Sequence, residues 1–192
     1  MDMNERPDSG QPPSPHGPTP ETMSPEDMAA RLNHAVAHHQ AGRLREAEQD
    51  YRAVLTANPH HPDALHLLGV LALQVSQPAA AVELIGRAIQ HEGGVADYHD
   101  NLGSAFAALN QPEDAAQAHR QAIALNPGSA QPRYNLGNAL LAQGMPGLAS
   151  LAFSSAVELR PDYAKAWYNL GNALRAQHRT ADAVSALAHA VA

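Results

Sequence analysis

Apolar and polar residues recur along this chain with a period of 34. Leu68, Leu102, Leu136 and Leu170 stand 34 apart, and each is followed by a glycine: Gly69, Gly103, Gly137 and Gly171. Ala72, Phe106, Leu140 and Leu174 come four residues after the leucines, one turn further along the same side of a helix. A second stripe keeps the same period. Ala47, Ala81, Ala115, Ala149 and Ala183 recur, with Tyr51, Ile85, His119, Phe153 and Leu187 four residues later. The heptapeptide from Tyr134 to Leu140 returns unchanged from Tyr168 to Leu174. Each period therefore predicts two amphipathic helices, roughly over positions 1–14 and 18–31. A one-domain enzyme has no reason to keep such a period, whereas a stacked array must present the same surfaces at every unit.

Breaks fall where the pattern needs them. Within the units lie Gly42-Arg43, Ser76-Gln77-Pro78, Asn110-Gln111-Pro112, Gly144-Met145-Pro146 and His178-Arg179-Thr180, with Ser76 and Thr180 as candidate helix caps. Between the units lie Asn58-Pro59, Glu92-Gly93-Gly94, Asn126-Pro127 and Arg160-Pro161. Five units follow: 28–61, 62–95, 96–129, 130–163 and an incomplete 164–192. Ser24 can cap the first helix, with Pro25 at its first position and Asp27 favouring its positive end. Residues 1–24 carry six prolines and little to bury, so a disordered tail is expected there and the array over 25–192. A glycine inside a helix costs about 1 kcal/mol relative to Ala, so its return at one position signals a close helix contact.

Composition narrows the class. Aromatics are only 4% of a chain that is 44% hydrophobic, which suits an Ala- and Leu-rich all-α core better than a sheet. The formal charge is −7, from 12 basic and 19 acidic residues, against the basic face of a nucleic-acid binder. With no cysteine, disulfides, thiolate nucleophiles and Cys-ligated metals are excluded. Neither a signal peptide nor an 18-residue apolar run is visible, so a cytoplasmic protein with no membrane partner is the default expectation.

The pattern resembles the tetratricopeptide repeat. Trp167, Leu170, Gly171, Leu174, Ala183, Leu187 and Ala190 fit it in the last unit; Leu136, Gly137, Leu140, Ala149, Phe153, Ala156 and Pro161 fit it in the fourth. The third fits through Leu102, Gly103, Phe106, Ala115, Ala122 and Pro127. The first unit departs most, with His34 and His38 at apolar positions. The resemblance implies an all-α, right-handed superhelical solenoid of antiparallel helical hairpins, whose first helices line a concave groove. It implies a scaffold that binds a protein or an extended peptide segment, without cofactor.

On that resemblance, position 6 of each unit looks into the groove, giving Asn33, Leu67, Asn101, Asn135 and Asn169; position 9 adds Asn138 and Asn172. A neutral amide both donates and accepts, and so can hold a peptide backbone regardless of its side chains. This ladder resembles the repeat region of bacterial relatives of protein O-linked N-acetylglucosamine transferases. Tyr134 and Tyr168 would add contact area, Asp97 and Asp100 an acidic middle, and Lys165 and Arg175 a more basic end. Two alternatives stand beside the peptide scaffold. One is a substrate-recognition region of a larger glycosyltransferase. The other is a scaffold that self-associates through the uncapped face of its last helix.

Twelve histidines invite a metal reading. No His-Glu-x-x-His occurs, and His34 and His38 are expected to be half-exposed and hydrogen-bonded, without a metal. No Ser-His-Asp arrangement, phosphate loop or nucleotide fingerprint is visible, so no catalytic residue is expected within this chain.

Overall fold

A computed structural model describes residues 23–191; residues 1–22 of the proline-rich tail lie outside the described residues. Ten helices follow in order: α1 (Pro25–Gln40), α2 (Leu44–Ala57), α3 (Pro62–Gln74), α4 (Pro78–His91) and α5 (Ala96–Ala108), then α6 (Pro112–Leu125), α7 (Ala130–Ala142), α8 (Pro146–Leu159), α9 (Ala164–Ala176) and α10 (Thr180–His189). Each odd helix pairs with the even helix after it, and each hairpin stacks on the next. The odd helices α3, α5, α7 and α9 also touch one another in succession; among the described residues no pair of even helices makes a comparable contact. The odd helices therefore lie on the short, inner arc of a solenoid and the even helices on the outer arc.

Local chemistry sets the ends of the helices. Ser24 accepts from the Asp27 backbone N–H at 3.1 Å, and Pro25, Pro62, Pro78, Pro112 and Pro146 open helices at positions where no N–H is needed. Every odd helix ends in one left-handed residue: Gly42, Ser76, Asn110, Gly144 and His178, with φ between 57° and 73°. The next N–H then reaches back to the carbonyl five residues earlier, as from Gln77 to Ala72 at 2.8 Å and from Met145 to Leu140 at 2.9 Å. Ser76 is thus the left-handed residue closing α3 and not a cap on α4, whose cap position is Gln77. Thr180 is likewise the first residue of α10, with Arg179 at the cap position.

The recurring glycine explains the hairpin core. A Cβ on Gly137 would fall 2.5 Å from Phe153 Cε1, and one on Gly103 2.5 Å from His119 Cε1. Gly69 and Gly171 meet Ile85 and Leu187 at 2.6 Å in the same way. The side chain of the even helix occupies the volume the glycine leaves. The alanines one turn earlier on the even helices, Ala47, Ala81, Ala115 and Ala149, are fully buried and let the helix axes close to this distance.

Gly137→Val should lower the unfolding free energy by roughly 1–3 kcal/mol, the usual range for overpacking against a side chain that has nowhere to go. Gly86, inside α4 with nothing within 4 Å of its notional Cβ, is the control. Gly86→Ala should raise stability by up to about 1 kcal/mol. Urea titration of both variants checks the pair; similar shifts would mean that the glycine contact does not hold the hairpin.

Candidate functional site

The inner face is built from the odd helices, and its polar residues join one repeat to the next. Asn101 Nδ2 donates to His66 Nε2 at 2.9 Å, Asn135 Nδ2 to Asp100 Oδ1 at 3.0 Å, and Asn169 Nδ2 to the Tyr134 hydroxyl at 3.4 Å. Each bond spans 35 residues and runs from position 6 of one unit to position 5 of the unit before. Asn169 also donates to Asn138 Oδ1 at 2.8 Å. The asparagine ladder is therefore tied into the solenoid, with its amide nitrogens already engaged. An amide nitrogen carries two protons, so a second donor and the amide oxygen remain for a ligand at Asn101, whereas Asn169 has used both protons and keeps its oxygen. At Asn135 the oxygen also accepts from Gln131 at 3.1 Å.

The remaining groove candidates divide into two groups. Tyr134 is half-buried against Phe153 and Tyr163, with ring centroids 5.9 and 4.9 Å away, so it serves the core as well as the surface. Tyr168 is 56% exposed and stands free on the inner helix α9. Lys165, Arg175 and Asp97 are exposed and Asn172 is half-buried; none has a side-chain hydrogen bond among the described residues. Lys165 edges a shallow hollow with Gln131, Tyr134 and Arg160. Asn33 is exposed on α1 and is joined to none of the others.

Several residues of this face carry no signal in the repeat pattern. Tyr98 is buried and donates its hydroxyl proton to Asp63 Oδ1 at 2.6 Å, stitching α5 to α3. Burial, the bond to Asp63 and the charges of Asp63 and Glu92 all hold its pKa above the ordinary tyrosine value. His66 is buried, with its ring 4.4 Å from that of Tyr98. Burial lowers its pKa, against the opposing charges of Asp97 and Asp63. The amide of Asn101 facing Nε2 requires the unprotonated nitrogen there.

His119 is 1% exposed and lies flat over Gly103, where the fourth repeat carries Phe153. Its Nδ1 faces Asp100 Oδ1 at 2.7 Å. The only trace of this pair in the sequence is a polar residue where the stripe calls for an apolar one.

The first repeat gathers His34, His38 and Asp50, with potential ligand atoms within 4.8 Å of one another. Their contacts form a hydrogen-bond relay. Arg43 Nε donates to His38 Nδ1 at 2.7 Å, the two Nε2 atoms lie 3.1 Å apart, and His34 Nδ1 faces Asp50 Oδ2 at 2.7 Å. Because Arg43 fills the lone pair of His38 Nδ1, His38 donates from Nε2 to His34, and His34 from Nδ1 to Asp50. Arg31 also reaches Asp50, at 3.4 Å. Two guanidinium groups already supply the positive charge that a metal ion would bring.

Together these features define an all-α solenoid of stacked helical hairpins with a polar inner face. The chain is a tetratricopeptide-repeat protein. Family models described as "TPR repeat" and "Tetratricopeptide repeat" match residues 97–144, 134–192 and 38–102. Among curated proteins none matches the sequence. A crystal structure of MamA is 24% identical, with a TM-score of 0.77 over 85% of this chain and 90% of that one. YrrB, described as "a TPR protein with an unusual peptide-binding site", is 23% identical, with a TM-score of 0.73 over 86% of each chain. Pseudomonas aeruginosa PilF is 21% identical, with a TM-score of 0.79 over 86% of this chain and 76% of that one. At these identities the likeness concerns the fold. No described helix is long and apolar enough to cross a membrane.

The inner face should respond to pH at both ends. The unfolded chain protonates His66 before the folded chain does. Its contribution is therefore complete above about pH 6.5 and declines as pH falls below that value. Chemical denaturation between pH 7.5 and 5 should show this loss, and His66→Phe, which keeps the ring against Tyr98, should make it shallower. Tyr98 has the opposite sign: its raised pKa contributes stability below about pH 10 that is lost as pH rises further. Tyr98→Phe should flatten the alkaline limb between pH 9 and 11, and an unchanged slope would exclude the Tyr98–Asp63 bond as its source.

Proposed function

We propose that this protein is an interaction scaffold that binds an extended peptide segment of a protein partner in the concave groove. The observation that carries this reading is the polar ladder of the inner face. Successive asparagines are held in register by bonds to the preceding repeat, so the lone pairs left on their amide oxygens stand pre-oriented at a regular spacing. Pre-organised groups lose little freedom on binding, which favours capture of an extended chain. Tyr168, Asn172 and Lys165 continue this face on the fifth repeat with side chains free to meet a ligand. The peptide-binding site named for YrrB, on the same fold, agrees with this use of the repeat. Cofactor and catalytic chemistry have no part in the reading.

The resemblance to acceptor-binding repeats of glycosyltransferases rests on the position-6 asparagines, and the same groove would serve that role. Self-association is a separate reading, favoured by exposed apolar side chains on the last hairpin. Val184 is 63% exposed and Val191 88%. Sedimentation velocity across a hundredfold concentration range decides it, since a constant sedimentation coefficient excludes association.

The test of the groove is capture on an array of unrelated 12-residue peptides by the full chain and by Tyr168→Ala/Asn172→Ala. Neither side chain bonds to a neighbouring repeat among the described residues, so the double variant should keep its melting temperature within the small range of a surface change. Capture should fall by about tenfold, equivalent to about 1.4 kcal/mol of lost binding. Undiminished capture by a folded double variant would remove the fifth repeat from the binding face.

A further inference from the structure

Between the third and fourth repeats the inner face opens into a cavity of about 240 Å³. Its walls separate by chemistry. Ala107, Ala139 and Ala142 form a small apolar side, while His119, Asn135 and Asn138 present polar atoms. His119 is 1% exposed, yet its Nε2 has no protein partner among the described residues and does not count among fully enclosed, unsatisfied polar atoms. The ring lines the cavity, so that nitrogen is left to whatever occupies it. In the neutral ring the proton belongs on Nδ1, which faces a carboxylate oxygen, and Nε2 is then a lone-pair acceptor.

The carboxylate behind it points to the same ligand. The Asp100 side chain is 15% exposed, and its oxygens receive His119 Nδ1 and the Asn135 amide. With a neutral His119 both are uncharged donors, and no Lys or Arg reaches Asp100 among the described residues. A sheltered carboxylate without a cation, an imidazole lone pair and a short apolar wall together suit one kind of side chain: an aliphatic stem ending in several donors and no acceptor.

We propose that this cavity, with His119 at its polar end and Asp100 behind that ring, is the subsite for a lysine side chain of the bound segment. The subsite rests on the groove reading above and gives it a sequence preference. The lysine stem lies along Ala107, Ala139 and Ala142, and its ammonium donates to His119 Nε2, whose ring is held and polarised from its far side by the Asp100 carboxylate. Asp97, exposed on α5, and Asp63, exposed on α3, add the same sign of charge along the approach.

The experiment uses 12-residue peptides captured by the full chain at pH 8 on the array, resynthesised with each lysine replaced in turn by norleucine, which keeps the stem and removes the ammonium. For the full chain, one replacement per peptide should weaken binding at least tenfold. His119→Phe places in this repeat the ring that the fourth repeat already packs over Gly137, so it should fold, as its melting curve will show. It should bind the lysine and norleucine peptides equally. Lysine and norleucine peptides of equal affinity for the full chain overturn the subsite and leave the groove reading intact. Selective capture of peptides rich in Asp or Glu overturns the subsite in favour of a charged imidazole. Failure to capture any peptide overturns the groove reading and the subsite with it. A His119→Phe chain that still prefers lysine moves the recognition elsewhere on the inner face.

Discussion

The close approach of the two helices in each hairpin is the contact on which the other features depend. It is made where a glycine on the odd helix meets a large side chain on the even one. Ile85, His119, Phe153 and Leu187 fill the space left by Gly69, Gly103, Gly137 and Gly171. Helices packed this closely form a thin unit that cannot bury both of its faces, and it must stack on its neighbours. Stacking brings successive odd helices into contact and leaves the even helices apart, so the array curves. The groove is a consequence of that curvature.

The same geometry gives the inner-face polar residues a double role. Bonds from position 6 to position 5 of the preceding repeat fasten the units together on the short arc, and Tyr98 to Asp63 and Tyr163 to Gln131 do so beside them. A second set, Gln143 to the Pro112 carbonyl and Gln177 to the Pro146 carbonyl, holds the starts of the even helices. The inner face is thus rigid before any ligand arrives. It also means that an asparagine here cannot be removed for its binding function alone. Tyr168 and Asn172 separate the two roles because, among the described residues, their side chains make no bond to an adjacent unit.

Much of the architecture was legible from spacing. The 34-residue period, the two helices per unit, the turns and the glycine contact are all properties of neighbours along the chain, and a periodic pattern states them repeatedly. Ser76 shows the limit even at this scale. Serine is a good cap by type, but the turn needs a left-handed residue at that place, and Gly42, Asn110, Gly144 and His178 share its position. The departure of the first repeat was also visible in His34 and His38. Their pairing with Asp50 and Arg43 was not, because it joins two helices through side-chain directions that spacing leaves open.

The sequence by itself determined the fold class and the positions that pack inside each hairpin, because periodic burial is written in residue type. It also marked the asparagines as a ladder. Only the tertiary structure decided what those asparagines touch. A donor at position 6 meets position 5 of the preceding repeat through the stagger of stacked hairpins, and the partners are His66, Asp100 and Tyr134, which share no residue type. The buried His119 is the clearest case. In the sequence it is one polar interruption of an apolar stripe. In the fold, the ring fills the gap over Gly103 and meets the carboxylate of Asp100, which the amide of Asn135 holds from the next inner helix. No pattern within a single repeat could show that arrangement.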